Sequence, residues 1–255
     1  MKNTNKLLLG ALLGAGMAGA VVTTAHAAET QAYTSHGKIE MEKNDGSTGP
    51  GVIDPTDPGT VDPTDPTNPV NPGTGGPLSI DYVSNFNFGK QKMSGNNKVY
   101  NSELVTVTTV DPVAGTKKDV ANFLQVSDNR GTVSGWKLSV QQSKAFTSEI
   151  TNKTLDGTTI TLSNPETRNG DNNAAKPAPS TVTSSVDIAA GSGDKLVMQA
   201  KDGEGSGTWA EAFGNATKDA EKAKKSVQLA VPGDSKKVAE KYVSDITWTL
   251  TDSGL

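Results

Sequence analysis

Side chains able to do chemistry are sparse in this 255-residue sequence, which has no cysteine and only two histidines. Without cysteine there is no thiolate nucleophile, no cysteine-ligated metal and no disulfide. His26 lies in a leader expected to be removed, which leaves His36 alone. A Ser-His-Asp triad needs a positioned imidazole and a histidine-bound zinc needs several, so neither is expected. Gly203-Glu-Gly-Ser-Gly207 places glycine where a nucleophile elbow needs serine. Gly191-Ser-Gly-Asp-Lys195 reads as a surface turn, not as a phosphate-binding loop. The Asn/Asp clusters at 169–173 and 202–204 lack the spacing and closing glutamate of a calcium loop. The remaining acids fall mainly in turns and in a Pro-rich stretch, where solvation is the default. A non-enzymatic protein without cofactor or metal is the expectation.

Tryptophan carries the stronger signal. In a strand, residues two apart share a face. Trp136, Leu138 and Val140 therefore point together, with Lys137 and Ser139 on the other side. Ile246, Trp248 and Leu250 repeat the arrangement, with Thr247, Thr249 and Thr251 opposed to them. Two roles are open to these apolar faces: the inner side of a strand pair, or a platform for a ligand. Alternation this clean favours the inner side.

The surroundings of the two motifs are also distinctive. Gly135-Trp-Lys-Leu-Ser-Val140 follows Ser127-Asp-Asn-Arg-Gly131, and the second motif stands within Tyr242-Val-Ser-Asp-Ile-Thr-Trp-Thr-Leu250. Leu78-Ser-Ile-Asp-Tyr-Val-Ser-Asn-Phe-Asn-Phe-Gly89 and Val227-Gln-Leu-Ala-Val-Pro-Gly233 complete the set. In this order they resemble the WxL-domain surface proteins of low-GC Gram-positive bacteria. The likeness extends to a leader, a short strand and an Asp/Pro spacer ahead of the domain. A proline common in the family just after the last motif is missing, and this chain has Gly254 near that point.

The resemblance implies an all-β domain that binds peptidoglycan non-covalently, often beside partner surface proteins, with contacts to host matrix or external polysaccharide. The candidate site is then Trp136, Lys137, Leu138, Trp248, Thr249 and Leu250, supported by Tyr242 and Thr247. Two other roles stay open: a structural subunit held on the wall by another surface protein, and an adhesin.

Those residues need elements to position them, and the chain divides visibly. Lys2 and Lys6, the apolar run Leu7 to Val22, and Ala25-His-Ala27 form a secretory leader, so cleavage is expected after Ala27. Its glycines and short length speak against a membrane span, and no second apolar stretch is long enough for one. The leader takes two lysines and no acids, so the mature chain is mildly acidic and unsuited to nucleic acid. No Leu-Pro-x-Thr-Gly sorting signal occurs, so retention at the cell surface is expected to be non-covalent, with free secretion as the rival.

Residues 28–43 contain an alternating stretch ending at Ile39 and Met41 that reads as a short strand. Residues 44–77 hold eight of the thirteen prolines, most at intervals of three, with aspartates between them. That composition reads as an extended polyproline-like spacer. From Leu78 to Leu255, Thr- and Val-rich runs separated by Gly, Asn, Asp and Pro predict about eight or more short strands in a sandwich or barrel-like domain. One stretch, from Trp209 to Ala223, has near-helical apolar spacing and predicts a short helix beside the sheets.

Overall fold

A computed structural model describes residues 37–42, 51–57, 59–63 and 72–253. The expected leader, 1–27, lies outside the described residues. The chain divides into a unit of residues 1–40 and a larger one of residues 41–255. Of the N-terminal segment, residues 37–42 carry no regular secondary structure, and Ile39 and Met41 are exposed.

The larger unit is all-β, with sixteen strands and one short helix among the described residues. In chain order it begins with β1 (Val52–Ile53), β2 (Thr60–Asp62), β3 (Leu78–Val83), β4 (Lys98–Asn101) and β5 (Val105–Asp111). Next come β6 (Lys117–Val120), β7 (Phe123–Asp128), β8 (Trp136–Ser148), β9 (Thr159–Ser163) and β10 (Pro165–Asn169). Then follow β11 (Thr181–Val182), β12 (Ser185–Ile188), β13 (Lys195–Ala200) and β14 (Gly207–Phe213). Helix α1 (Ala220–Lys224), β15 (Val227–Val231) and β16 (Tyr242–Asp252) close the unit. The strands form four antiparallel sheets in the orders β1-β2-β5-β6, β10-β14-β7-β3, β11-β13-β8-β16 and β12-β9-β15-β4.

The sheet β10-β14-β7-β3 is the partition of the molecule, because both of its faces are covered. One face gives Ile80, Leu124, Val126, Trp209 and Phe213 to a large core shared with the sheets containing β8 and β9. The other gives Tyr82, Phe123 and Ala212 to a smaller core closed by Val61, Val107, Val120 and Ala223. Every residue of β7 is consequently buried. A bulge between Ile80 and Tyr82 lets those two residues serve opposite cores although they are two apart.

The same two-sided burial explains a departure from the sequence reading. Trp209 and Phe213 enter one core while Ala212 enters the other, so Trp209–Phe213 is strand β14 and not part of a helix. A stretch that is apolar on both faces fits either period, and the pairing of β14 with β7 and β10 decides it. The helix is confined to Ala220–Lys224, where Asp219 caps the N-terminus by accepting from the Lys222 amide at 2.9 Å.

The Pro-rich stretch also does more than span distance. β1 and β2 form a hairpin within residues 44–77 that pairs with β5, and Ile53 and Val61 are buried. Its turn is fixed by Asp54, whose carboxylate accepts from Thr56 N, Thr56 Oγ1 and Asp57 N. Lys118 on β6 pairs with Asp54 and with Asp57, the latter at 2.7 Å. That lysine holds the Asp57 carboxyl below the usual carboxylate range. Prolines at 55 and 63 are tolerated because each lies just beyond a two- or three-residue strand.

Candidate functional site

The two Trp-x-Leu segments lie more than one hundred residues apart in sequence and side by side in space. β8 and β16 pair antiparallel with Trp136 opposite Asp252, Leu138 opposite Leu250, and Val140 opposite Trp248. The pairs Leu138–Leu250 and Val140–Trp248 set apolar side chains against each other across the two strands. Register shifts near Asp245 separate its two ends, so Ile246 to Asp252 pair without interruption.

The tryptophans are not equivalent. Trp136 is fully buried, and its indole Nε1 donates to the Gly205 carbonyl at 3.0 Å. A buried indole N–H needs such an acceptor. Gly205 has φ +70°, and a Cβ there would stand 2.7 Å from Trp136 Nε1, so glycine is required by both conformation and space. Gly135, immediately before Trp136, has φ +77° and lies against Lys201 backbone atoms, with 2.7 Å to the carbonyl carbon for an added Cβ. Leu138 is also fully buried. Trp248 and Leu250 are only half-buried and pack on the margin of the same core, as do Tyr242 and Ile246. The Tyr242 hydroxyl accepts from the Val238 amide at 2.8 Å.

On the other face, Lys137, Thr247, Thr249 and Thr251 are exposed. Lys137 stands between Gln199 of β13 and Thr251 of β16, and Gln141 stands opposite Thr247. Thr247 Oγ1 donates to Ser143 Oγ at 2.8 Å, which leaves its lone pairs free to accept further hydrogen bonds. Between Lys137 and Thr247 this face carries mainly hydroxyls and amides, with Leu196 opposite Ser139 and the exposed Asp245 just beyond Thr247.

A clamp joins the two motifs. Arg130 grips Asp128 through Nε at 2.9 Å and Nη2 at 2.8 Å, donates from Nη2 to the Gly135 carbonyl at 2.8 Å, and pairs through Nη1 with Asp252 at 2.6 Å. One guanidinium thus ties the entrance of β8 to the end of β16, and the two carboxylates drive its own pKa upward.

The chain matches the family model described as "WxL domain surface cell wall-binding" over residues 28–253. It belongs to the WxL family. Searches of curated proteins and of solved structures returned no match. Membership makes this a cell-surface protein whose WxL domain attaches it non-covalently to the peptidoglycan-containing cell wall. No helix among the described residues is long and apolar enough to cross a membrane.

The structure brings together all eight motif residues singled out in the sequence, from Trp136 to Leu250, on one strand pair. It separates them by face: Trp136, Leu138, Tyr242, Trp248 and Leu250 turn toward the core, and Lys137, Thr247 and Thr249 turn out. Sequence reasoning gave no role to Arg130, although Ser127-Asp-Asn-Arg-Gly131 was among the family segments. It missed Glu211 altogether. That residue sits on β14 between Trp209 and Phe213, is fully buried, and has no hydrogen-bond partner for either carboxylate oxygen among the described residues. Burial pushes its carboxyl up to about 8.

Proposed function

We propose that the WxL domain grips peptidoglycan directly through the outward face of the paired motifs, with Lys137, Thr247, Thr249 and Thr251 as contacts. The tryptophans and leucines then act as the scaffold that keeps this face flat. The observation that carries the reading is the division of faces, with the motif's apolar members turned inward and its polar members exposed. Threonine hydroxyls can both donate and accept, which suits sugar hydroxyls and N-acetyl groups. Lys137 supplies a cation for the carboxylates of muramyl and peptide groups. In this reading the chain performs no catalysis. The sequence supports that view, since the nucleophile, base and metal-ligand patterns are all missing from it.

The test is co-sedimentation of the mature chain with isolated, protein-free peptidoglycan. Lys137→Glu combined with Thr249→Ala is expected to weaken binding about tenfold or more while leaving the melting temperature within a degree or two of the parent. A parent chain that stays in the supernatant would refute direct binding. It would favour attachment through another surface protein.

A further inference from the structure

The Asn/Asp cluster at 169–173 takes no part in the paired motifs and lacks calcium-loop spacing, but it holds the one Asn-Gly dipeptide of the chain, Asn169–Gly170. In that dipeptide the following backbone nitrogen reaches the side-chain carbonyl carbon most readily. Glycine has no Cβ to obstruct the approach and few conformational limits. In an open chain Gly170 N attacks Asn169 Cγ, its proton passes to solvent, and the side-chain nitrogen leaves as ammonia. Water then opens the cyclic imide at either carbonyl and gives aspartate or isoaspartate.

The fold ties down both reacting groups. Asn169 is the last residue of β10, is buried, and stands opposite Trp209 of β14. Its side chain closes a ring with Asn173: Nδ2 donates to the Asn173 carbonyl at 2.7 Å, and Oδ1 accepts from the Asn173 amide at 2.8 Å. The attacking nitrogen is engaged as well, since Gly170 N donates to the Thr208 carbonyl at 2.9 Å. For that nitrogen to turn onto Cγ, the ring and the end of the β10–β14 ladder must open together. β10 is an edge strand of five residues that pairs with β14 alone among the described residues. Its end can therefore open at a lower cost than unfolding of the core.

We infer that Asn169–Gly170 is a deamidation site gated by the fold, closed in the native chain and reactive once the end of β10 opens. The change runs one way, because the product cannot restore the ring. A carboxylate has no proton to give to the Asn173 carbonyl, so acceptor meets acceptor at a nearly buried position. Isoaspartate also adds a carbon to the backbone and breaks the register with Trp209. An opening that ends in reaction thus leaves a strand end that closes less well. The site stands on a different sheet from Lys137 and Thr249, so it does not rest on the proposed wall contacts.

The test holds the mature chain in mildly alkaline buffer with and without urea and follows each asparagine by peptide mapping and mass spectrometry. Deamidation at Asn169 should run at least about tenfold slower in the folded chain than in urea. In urea it should outpace Asn101 and Asn173, which precede serine and alanine. Gly170→Ala adds a methyl that stands 3.3 Å from Ile53 Cγ2 in the fold, and it should slow the reaction in urea. Asn169→Asp, made directly, should lower the melting temperature by on the order of 5 °C. Equal rates with and without urea overturn the gating. A rate at Asn169 in urea no greater than at Asn173, or one indifferent to Gly170→Ala, overturns the site. An Asn169→Asp chain that melts with the parent overturns the one-way consequence.

Discussion

At the scale of residues, Glu211 and the two tryptophans differ in what burial asks of them. Glu211 faces the large core between two aromatic neighbours with no donor to hold its charge. Its folded pKa of about 8 lies above the ordinary carboxyl value of 4.5. The folded state therefore binds the proton more tightly than the unfolded chain. The associated stability is fully present below about pH 4.5 and is lost as pH rises through about 8. Across that pH range the loss amounts to about 5 kcal/mol, at about 1.4 kcal/mol per pH unit. Glu211→Met should remove this dependence, raising the melting temperature at pH 8.5 far more than at pH 5. Equal gains at both pH values would mean that the carboxyl does not titrate in this window. Trp136→Ala removes a fully enclosed ring and leaves the Gly205 carbonyl without its donor. It should cost about 3–5 kcal/mol. Trp248→Ala, at a half-covered margin, should cost clearly less, and denaturant unfolding of the two variants compares them directly.

At the scale of elements, the motif-bearing parts of β8 and β16 were legible in the sequence as strands because each alternates cleanly and only one side is apolar. What could not be read was which strand pairs with which, since the register of Leu138 with Leu250 depends on residues more than one hundred positions apart. β14 was misread as helix for the opposite reason: with both faces buried it has no polar face to set the period. β1 and β2 were hidden by the prolines that bound them, and their strand character comes from the partner β5. Arg130 could be seen in the sequence but not interpreted, because its partners Asp128 and Asp252 meet only after folding. Its clamp makes a prediction at this scale. Arg130→Ala leaves the nearly buried Asp128 carboxylate without its counter-charge and frees the end of β16. A loss of about 3 kcal/mol is expected, with amide exchange quickened first at Thr249 to Asp252. Exchange that quickens uniformly along β8 and β16 would argue against a local clamp.

At the scale of the whole molecule, the partition sheet makes the Pro-rich segment part of the fold. Its buried Gln125 accepts from the Ile53 amide at 2.7 Å and donates to the Asp81 carboxylate at 3.0 Å. Ile53 and Val61, both from residues 44–77, are buried, and Val61 helps close the smaller core. A fragment starting at Leu78 therefore loses two buried aliphatic side chains, and Gln125 Oε1 loses its donor. Burial of each aliphatic group contributes about 1.5–3 kcal/mol. Together they predict a fall of roughly 3–6 kcal/mol, or on the order of 10 °C in melting temperature for a domain of this size. Exposure of Phe123 and Val107 should also make the fragment bind a hydrophobic dye that the mature chain ignores. The sheet β11-β13-β8-β16 contributes nothing to the smaller core, so the outward face carrying Lys137 and Thr249 should keep its geometry. Calorimetry and wall co-sedimentation of the mature chain and of residues 78–255 separate these effects. Equal melting would show that the β1–β2 hairpin rests on the domain without supporting it. Lower melting with wall binding retained below the new midpoint would establish that the segment braces one core while the paired motifs on another sheet do the binding.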